Sequence, residues 1–149
     1  MARLPVRKTY KLFIGGAFPR SESGRTYEAQ GQNVARASRK DLRDAVVAVA
    51  SETHPLAAIE LAEALATSDV PGGVVNILTG YRGELAPWLA SHMDVNAIDL
   101  GSADGDAPEL ERAAAANVKR VVHGKADTQS PWEVAAFLEL KTVWHPVGQ

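Results

Sequence analysis

Blocks of apolar residues along this 149-residue chain switch between helical and strand spacing. Residues 56–66 are apolar except for a narrow stripe that contains Glu60 and Glu63, which predicts a mostly buried helix opened by Pro55. The turn Pro71-Gly72-Gly73 leads into a short apolar strand over residues 74–78. This order of helix and strand is typical of parallel-sheet construction.

The alternation continues toward the C-terminus. A helix is expected over residues 85–91, a strand over 95–100, a helix opened by Pro108 and a third strand over 119–122. The apolar face of the helix after Pro108 is formed by Leu110, Ala113, Ala114 and Val118. The predicted fold class is therefore α/β, a partial Rossmann-like parallel sheet with flanking helices.

The first 37 residues show a different, β-rich pattern. The apolar run Leu12-Phe13-Ile14 meets the pair Gly15-Gly16, and paired glycines supply the positive φ angles of a tight hairpin turn. Further short strands are expected at Thr26-Tyr27 and over residues 33–37. We interpret residues 1–37 as a structural arm built on a β-hairpin.

Residues 38–50 fit two structures. Ser38 followed by Asp41 resembles a helix N-terminus, and the apolar positions after it have helical spacing. The valine-rich run over residues 45–50 equally fits a buried strand, and periodicity does not separate the two in so short a segment. The apolar positions that would form the helical stripe are Leu42, Ala45, Val46 and Val49.

The C-terminal residues 126–149 form a third piece, after an α/β domain over residues 38–125. Ser130 and Glu133 have the spacing of a capping box, and the apolar residues that follow have helical spacing, so a short helix is predicted. Residues 140–145 are β-prone and stop at Pro146, which predicts an edge strand.

Composition and charge exclude several classes of function. The formal net charge of −2, with both signs scattered, lacks the basic footprint of a nucleic-acid binder. No apolar run is long enough to span a membrane, and the first residues lack the apolar stretch of a secretion signal, so we expect a cytoplasmic protein. The chain contains no cysteine and its four histidines lack metal-ligand spacing, so no metal site is expected.

Six segments of the chain, in one shared order, carry a family resemblance. They are residues 11–16 (Lys-Leu-Phe-Ile-Gly-Gly), 35–38 (Ala-Arg-Ala-Ser), 51–56 (Ser-Glu-Thr-His-Pro-Leu), 70–80 (Val-Pro-Gly-Gly-Val-Val-Asn-Ile-Leu-Thr-Gly), 92–95 and 117–121. Together they resemble segments of the aldehyde dehydrogenase superfamily. The likeness implies a nucleotide-binding half, with its N-terminal arm and C-terminal strand but without the catalytic domain.

The resemblance also places vestiges of a cofactor site. Glu52 takes the position of the family's ribose-contacting acid, whereas the ribose-contacting lysine would fall near Val49. Asp99 would bring a negative charge close to the cofactor's phosphates, at a cost of about 1 kcal/mol in water. We therefore expect no cofactor, or only weak binding of NAD or NADP. The candidate cofactor contacts are Glu52, Gly80, Gly101 and Ser102.

The catalytic residues of the family have no counterparts here. The family's nucleophile is a cysteine thiolate, which this chain lacks. Where the family supplies its general base, the chain reads Val122-His123-Gly124-Lys125, which contains no acid. His123 has the chemistry of a base, but a lone histidine beside a strand end is more often a surface or hydrogen-bonded residue. No catalytic residue is therefore predicted.

In the family the terminal strand serves subunit assembly, so its retention implies an assembly role. The first hypothesis is a non-catalytic accessory subunit that pairs with itself or with a full-length aldehyde dehydrogenase. The alternatives are a small NAD(P)-binding module, and an enzyme component that is active only in a complex. The candidate interface residues are Phe13, Trp132, Phe137, Val143 and Trp144.

Overall fold

The computed structural model describes residues 8–38, 46–124 and 131–138, which form two units that divide between Leu89 and Ala90. The predicted α/β class is confirmed. The elements are β1 (Thr9–Tyr10), β2 (Thr26–Ala29), β3 (Gln32–Ala35), β4 (Val46–Val49), α1 (Leu56–Ala66), β5 (Val75–Leu78), α2 (Arg82–Ser91), β6 (Ala97–Asp99), α3 (Ala107–Ala115), β7 (Arg120–Val122) and α4 (Pro131–Phe137). The three-part domain division remains a prediction.

In the β-rich arm, β2 and β3 correspond to the strands expected at Thr26-Tyr27 and over residues 33–37, whereas the apolar run before the glycine pair forms only isolated bridges and β1 lies before it. β3 lies between β1, to which it is parallel, and β2, to which it is antiparallel. The hairpin between β2 and β3 turns at Gln30 and Gly31, which both have positive φ, at 50° and 70°. That geometry matches the right-handed twist of the two strands.

The Gly15-Gly16 turn is confirmed as a tight reversal. Both glycines have positive φ, and Ile14 and Ala17 exchange backbone hydrogen bonds of 3.0 and 3.1 Å across it. Just before the turn, Phe13 forms an antiparallel bridge with Ile77 of β5. Phe13 is thereby fixed against β5.

The segment with two interpretations contains a strand. β4 pairs in parallel with β5 along all four of its residues, so the helical interpretation is wrong for Val46 and Val49. A β-branched run that bonds to a neighbouring strand satisfies its backbone groups there, which overrides the helical spacing. Residues 39–45, which carry the expected helix start, lie outside the described residues.

Helix α1 has the expected bounds but not the expected burial. Ile59 and Ala62 are buried against the sheet, whereas Leu61 is 55% exposed on the opposite side. The prediction of a mostly buried helix is therefore wrong. In the described part of the first unit, only one side of α1 packs against other elements. The exposed side of α1 contains several alanines, which expose little apolar area.

Two buried polar residues connect β5 to the arm: Asn76 within the strand and Thr79 just after it. Asn76 accepts a hydrogen bond from the Gly15 N–H at 2.9 Å and donates to the carbonyls of Val46 and Gly73. The Thr79 hydroxyl donates to the Ala35 carbonyl. Leu78, between them in the chain, belongs to the inner cluster, five buried residues that form a core: Leu12, Ala35, Ala37, Leu78 and Leu85.

The second unit contains the other parallel pair, β6 and β7, with α3 between them in the chain. Leu110 and Ala114 of α3 are buried, as the helical spacing predicts. Val118 does not belong to that face, since it lies beyond the helix with φ at 53° and is 92% exposed. The spacing misplaced it because α3 ends at Ala115.

Candidate functional site

The carboxyl ends of parallel strands are the usual place for a ligand site in α/β sheets. In the first unit this edge is formed by the residues that follow β4 and β5. Glu52 lies after β4, and its Oε1 accepts the backbone N–H of Arg82, the first residue of α2, at 2.6 Å. A carboxylate at a helix N-terminus is stabilised by the helix dipole. Glu52 therefore serves as a cap for α2 in this structure.

Gly80, between β5 and α2, is buried by close packing. A Cβ atom at this position would lie 3.1 Å from Leu85 Cδ1 and 3.2 Å from the Ala37 backbone nitrogen. The structure thus brings two predicted cofactor contacts, Glu52 and Gly80, to one edge. A side chain at position 80 would press against Leu85 and Ala37, which explains the glycine there by packing.

An aromatic and charged cluster lies beside this edge, and sequence reasoning missed it. The Tyr27 and Tyr81 rings are 5.4 Å apart, and the Arg36 guanidinium lies 4.4 Å above the Tyr81 ring. Arg36 also donates to Glu84 Oε2 at 2.6 and 3.1 Å. These contacts fix α2 against the arm. They join residues up to 54 positions apart (27 and 81), so no local pattern signals them.

The Tyr27 hydroxyl is buried, and it has no hydrogen-bond partner among the described residues. Burial, with smaller contributions from Glu52 and Tyr81, raises the pKa of Tyr27 from 10.0 to about 12. All three influences disfavour the phenolate. The ring is thus suited to packing rather than to proton transfer near neutral pH.

Tyr27→Phe is expected to leave the free energy of unfolding at neutral pH unchanged or to raise it by up to about 1 kcal/mol, because it removes a buried donor without a partner. Below pH 10, the Tyr27 hydroxyl is protonated in both the folded and the unfolded chain. As the pH rises from 10 toward about 12, it ionises in the unfolded chain first, so the free energy of unfolding falls progressively over this window. Tyr27→Phe should therefore flatten the stability loss in that window.

Urea unfolding at several alkaline pH values measures this effect. In the same samples, phenolate absorbance should lose a step near pH 12 in the variant. A persisting step, or a loss of stability at neutral pH, would contradict the assignment.

In the second unit, the corresponding edge follows β6. Asp99, the last residue of β6, accepts the Gly101 backbone N–H with its Oδ1 at 2.7 Å. Leu100 donates to the Val122 carbonyl at 2.8 Å, and Ala103 donates to the Leu100 carbonyl at 3.0 Å. The predicted contacts Gly101 and Ser102 are therefore adjacent in a tight turn. The acidic side chain expected there is Asp99, and its carboxylate already accepts a backbone N–H.

Gly101 is also required by packing, because a Cβ atom there would collide with the Gly124 carbonyl at the end of β7. His123 precedes Gly124 in the chain, and its Nε2 lies 2.9 Å from Glu111 Oε1 of α3. His123 is thus a hydrogen-bonded residue that joins β7 to α3. Both side chains are about half exposed, so the contact lies at the surface.

A second group missed by sequence reasoning is Lys119. Its side chain is buried, and its Nζ donates to the carbonyls of His92 and Val95 at 2.6 and 2.5 Å. Burial lowers the pKa of Lys119. Asn117 holds the same loop through the Ser91 carbonyl. The lysine therefore stabilises the turn that precedes β6, whereas the sequence pattern indicated only the start of a strand.

The interface candidates fall in different environments. Phe13 is buried in the core at 4% exposure, so it does not enter the interface proposed below. Trp132 is 80% exposed and Phe137 is 41% exposed on α4, the predicted C-terminal helix. The Phe137 carbonyl accepts from the Arg120 side chain at 3.1 Å, which attaches α4 to β7. The capping residue Ser130 lies outside the described residues, as do Val143, Trp144 and the predicted strand over 140–145.

Membrane-spanning helices and metal clusters are both absent from the described ranges. No helix within them has the length and apolar character to cross a bilayer. Over the same ranges, no three His, Asp or Glu side chains converge as a metal site would require.

Comparison with solved structures supports the fold. HpcC from Thermus thermophilus superposes with a TM-score of 0.64 at 14% identity, over 76% of this chain and 47% of that chain. An aldehyde dehydrogenase from Bacillus cereus, solved as an NAD+ complex, superposes with a TM-score of 0.63 at 13% identity, over 76% and 50%.

Sequence comparison gives the same relationship. The chain is 38% identical over 77 residues to 2-hydroxymuconic semialdehyde dehydrogenase of Pseudomonas putida, covering 51% of this chain and 16% of that enzyme. It is 34% identical over 98 residues to aldehyde dehydrogenase 1A1 of Equus caballus, covering 65% and 19%. The chain thus spans less than a fifth of the length of these relatives. The model of the aldehyde dehydrogenase family matches residues 44–142, and the chain belongs to that family.

Proposed function

We propose that this chain is a non-catalytic assembly or accessory subunit for an aldehyde dehydrogenase. The observation that carries the proposal is the absence of cysteine from its 149 residues, since aldehyde oxidation in this family requires a thiolate. These 149 residues therefore offer no thiolate for the covalent intermediate from which a hydride is transferred. The chain by itself therefore lacks the chemistry of its relatives.

The cofactor edges support the same proposal. The Glu52 carboxylate is already engaged by the Arg82 backbone N–H, and Asp99 places a negative charge where the resemblance would put the cofactor's phosphates. His123, in place of the general base, is held by Glu111. We infer that binding of NAD or NADP is weak or absent in the isolated chain.

Helix α4 supports a docking role. Trp132 and Phe137 present apolar surface, and Leu138 beside them is 57% exposed. Large exposed aromatic side chains are enriched at the centres of protein interfaces. The Arg120 contact holds the end of this helix on β7, so the surface is presented by an anchored element. The proposed partner is a full-length aldehyde dehydrogenase subunit or a second copy of this chain.

Mixing the chain with a full-length aldehyde dehydrogenase from the same organism tests the proposal. Light scattering after gel filtration should show a complex with the enzyme or with itself, and the double substitution Trp132→Ala, Phe137→Ala should weaken its Kd by about tenfold or more, because aromatic anchors dominate interface energy. Met93→Ala is the matched control, since Met93 is also in the second unit and is 82% exposed. This variant should associate normally.

Three outcomes would contradict the proposal. The first is a chain that stays monomeric alone and never co-elutes with the enzyme. The second is NADH production from an aldehyde by the isolated chain. The third is calorimetric titration that shows micromolar NAD affinity without any association, which would favour the small NAD(P)-binding module instead.

A further inference from the structure

The two parallel strand pairs share one unexpected arrangement. In each, an acidic side chain near the carboxyl end of a strand accepts the N–H of a residue in a turn or at a helix start at the same edge. Glu52 does so with Arg82 at 2.6 Å, and Asp99 does so with Gly101 at 2.7 Å. The recurrence shows that a backbone donor at each edge is used within the chain.

The Asp99 contact is the closer of the two in sequence. The carboxylate is tethered two residues from the N–H that it occupies, so its effective concentration at that donor is high. Such a local contact between an aspartate and a backbone N–H two positions on is an Asx-turn. A phosphate in solution must displace this carboxylate and then lie beside its charge.

The turn itself does not depend on Asp99 for its backbone path. The Leu100 N–H is fixed to Val122, and Ala103 closes the turn through the Leu100 carbonyl. Gly101 is packed against Gly124 at the end of β7. Removing the aspartate side chain therefore leaves these backbone hydrogen bonds in place, with the Gly101 N–H exposed.

We propose that Asp99 is an internal anion that closes the Gly101-Ser102 turn to phosphate-bearing ligands, so that the turn regains phosphate affinity when this one carboxylate is removed. The proposal deepens the weak cofactor binding inferred above, on which it rests, and does not depend on the assembly role. The contact at issue is the hydrogen bond from the Gly101 N–H to Asp99 Oδ1, and binding of a phosphate compound at the turn tests this contact directly.

Two substitutions separate charge from occupancy. Asp99→Asn removes the charge but keeps a side-chain oxygen that can still accept the Gly101 N–H. Asp99→Ala removes both. Loss of one unit charge about 4 Å from the ligand is expected to tighten binding about fivefold, and release of the donor should add about another fivefold in the alanine variant.

The probe is inorganic pyrophosphate, titrated into the 15N-labelled full chain. The Gly101 amide resonance and calorimetry give the Kd. Asp94→Ala is the matched control, because Asp94 is exposed in the same unit and its loss changes the net charge equally. The expected order of affinity is Asp99→Ala, then Asp99→Asn, then Asp94→Ala and the unchanged chain.

Asp99→Val supplies a second variant without an acceptor, and its β-branched side chain suits the end of β6. If the alanine variant loses its folded spectrum, the valine variant decides the test. Equal affinity of the asparagine and acceptor-free variants would overturn the proposal, since charge alone would then explain the effect. Affinity no tighter than that of Asp94→Ala would overturn it as well. Neither result would bear on whether the chain assembles.

Discussion

Leu78→Ala is expected to lower the free energy of unfolding by about 3–5 kcal/mol, because it opens a cavity in the core of the first unit. Leu78 is fully buried at the end of β5, in the inner cluster with Leu12 and Leu85. Its neighbours come from the arm and from the start of α2. Because these elements are fixed by backbone hydrogen bonds, they cannot close around the lost side chain, and a cavity remains.

Urea unfolding followed by far-ultraviolet circular dichroism measures the loss. Leu61→Ala is the matched control, since Leu61 is the same residue type at 55% exposure on α1. The control should lose less than about 1 kcal/mol, because surface substitutions remove little buried area. Equal losses in the two variants would show that Leu78 is not in a packed core.

Gly101→Ala is expected to lower the free energy of unfolding by about 3 kcal/mol, since its methyl group meets backbone rather than a flexible side chain. The Gly124 carbonyl stands where the new carbon would lie, and Asp99 Oδ1 is 3.1 Å from it. Relief requires the ends of β6 and β7 to separate, which weakens the hydrogen bond between Leu100 and Val122.

Thermal unfolding compared with Gly105→Ala checks this expectation. Gly105 lies in the 3-10 turn before α3, and nothing is within 4 Å of a Cβ placed there. The control should therefore unfold within about 2 °C of the unchanged chain, since a change of a few tenths of a kcal/mol shifts Tm little. A stable Gly101→Ala variant would mean that the turn tolerates a side chain and that its glycine has no steric role.

The elements with local signals were predictable from sequence. Pro55 and the apolar spacing after it located α1, and the glycine pair located the turn after Ile14. Periodicity failed at Val46, because pairing with β5 decides that segment. It also failed at Val118, because nothing in the spacing marks where α3 ends.

The site was predictable only in part. Glu52 and Gly101 were singled out by resemblance, and the charge of Asp99 was expected at the turn. That Asp99 and Glu52 hold backbone donors was not foreseen, since this depends on side-chain direction. The cluster around Tyr27 and the buried Lys119 were missed because each depends on partners at least 24 residues away.

The attachment of the arm to β5 has a consequence for synthesis on the ribosome. Phe13 bonds to Ile77, and the Ala37 N–H bonds to the Thr79 carbonyl, so the first unit closes long loops before it gains these contacts. A nascent chain that has not yet released residue 79 holds an arm without its anchor. The strands of the arm can pair with one another before then, but their attachment to β5 must wait until most of the first unit has left the exit tunnel.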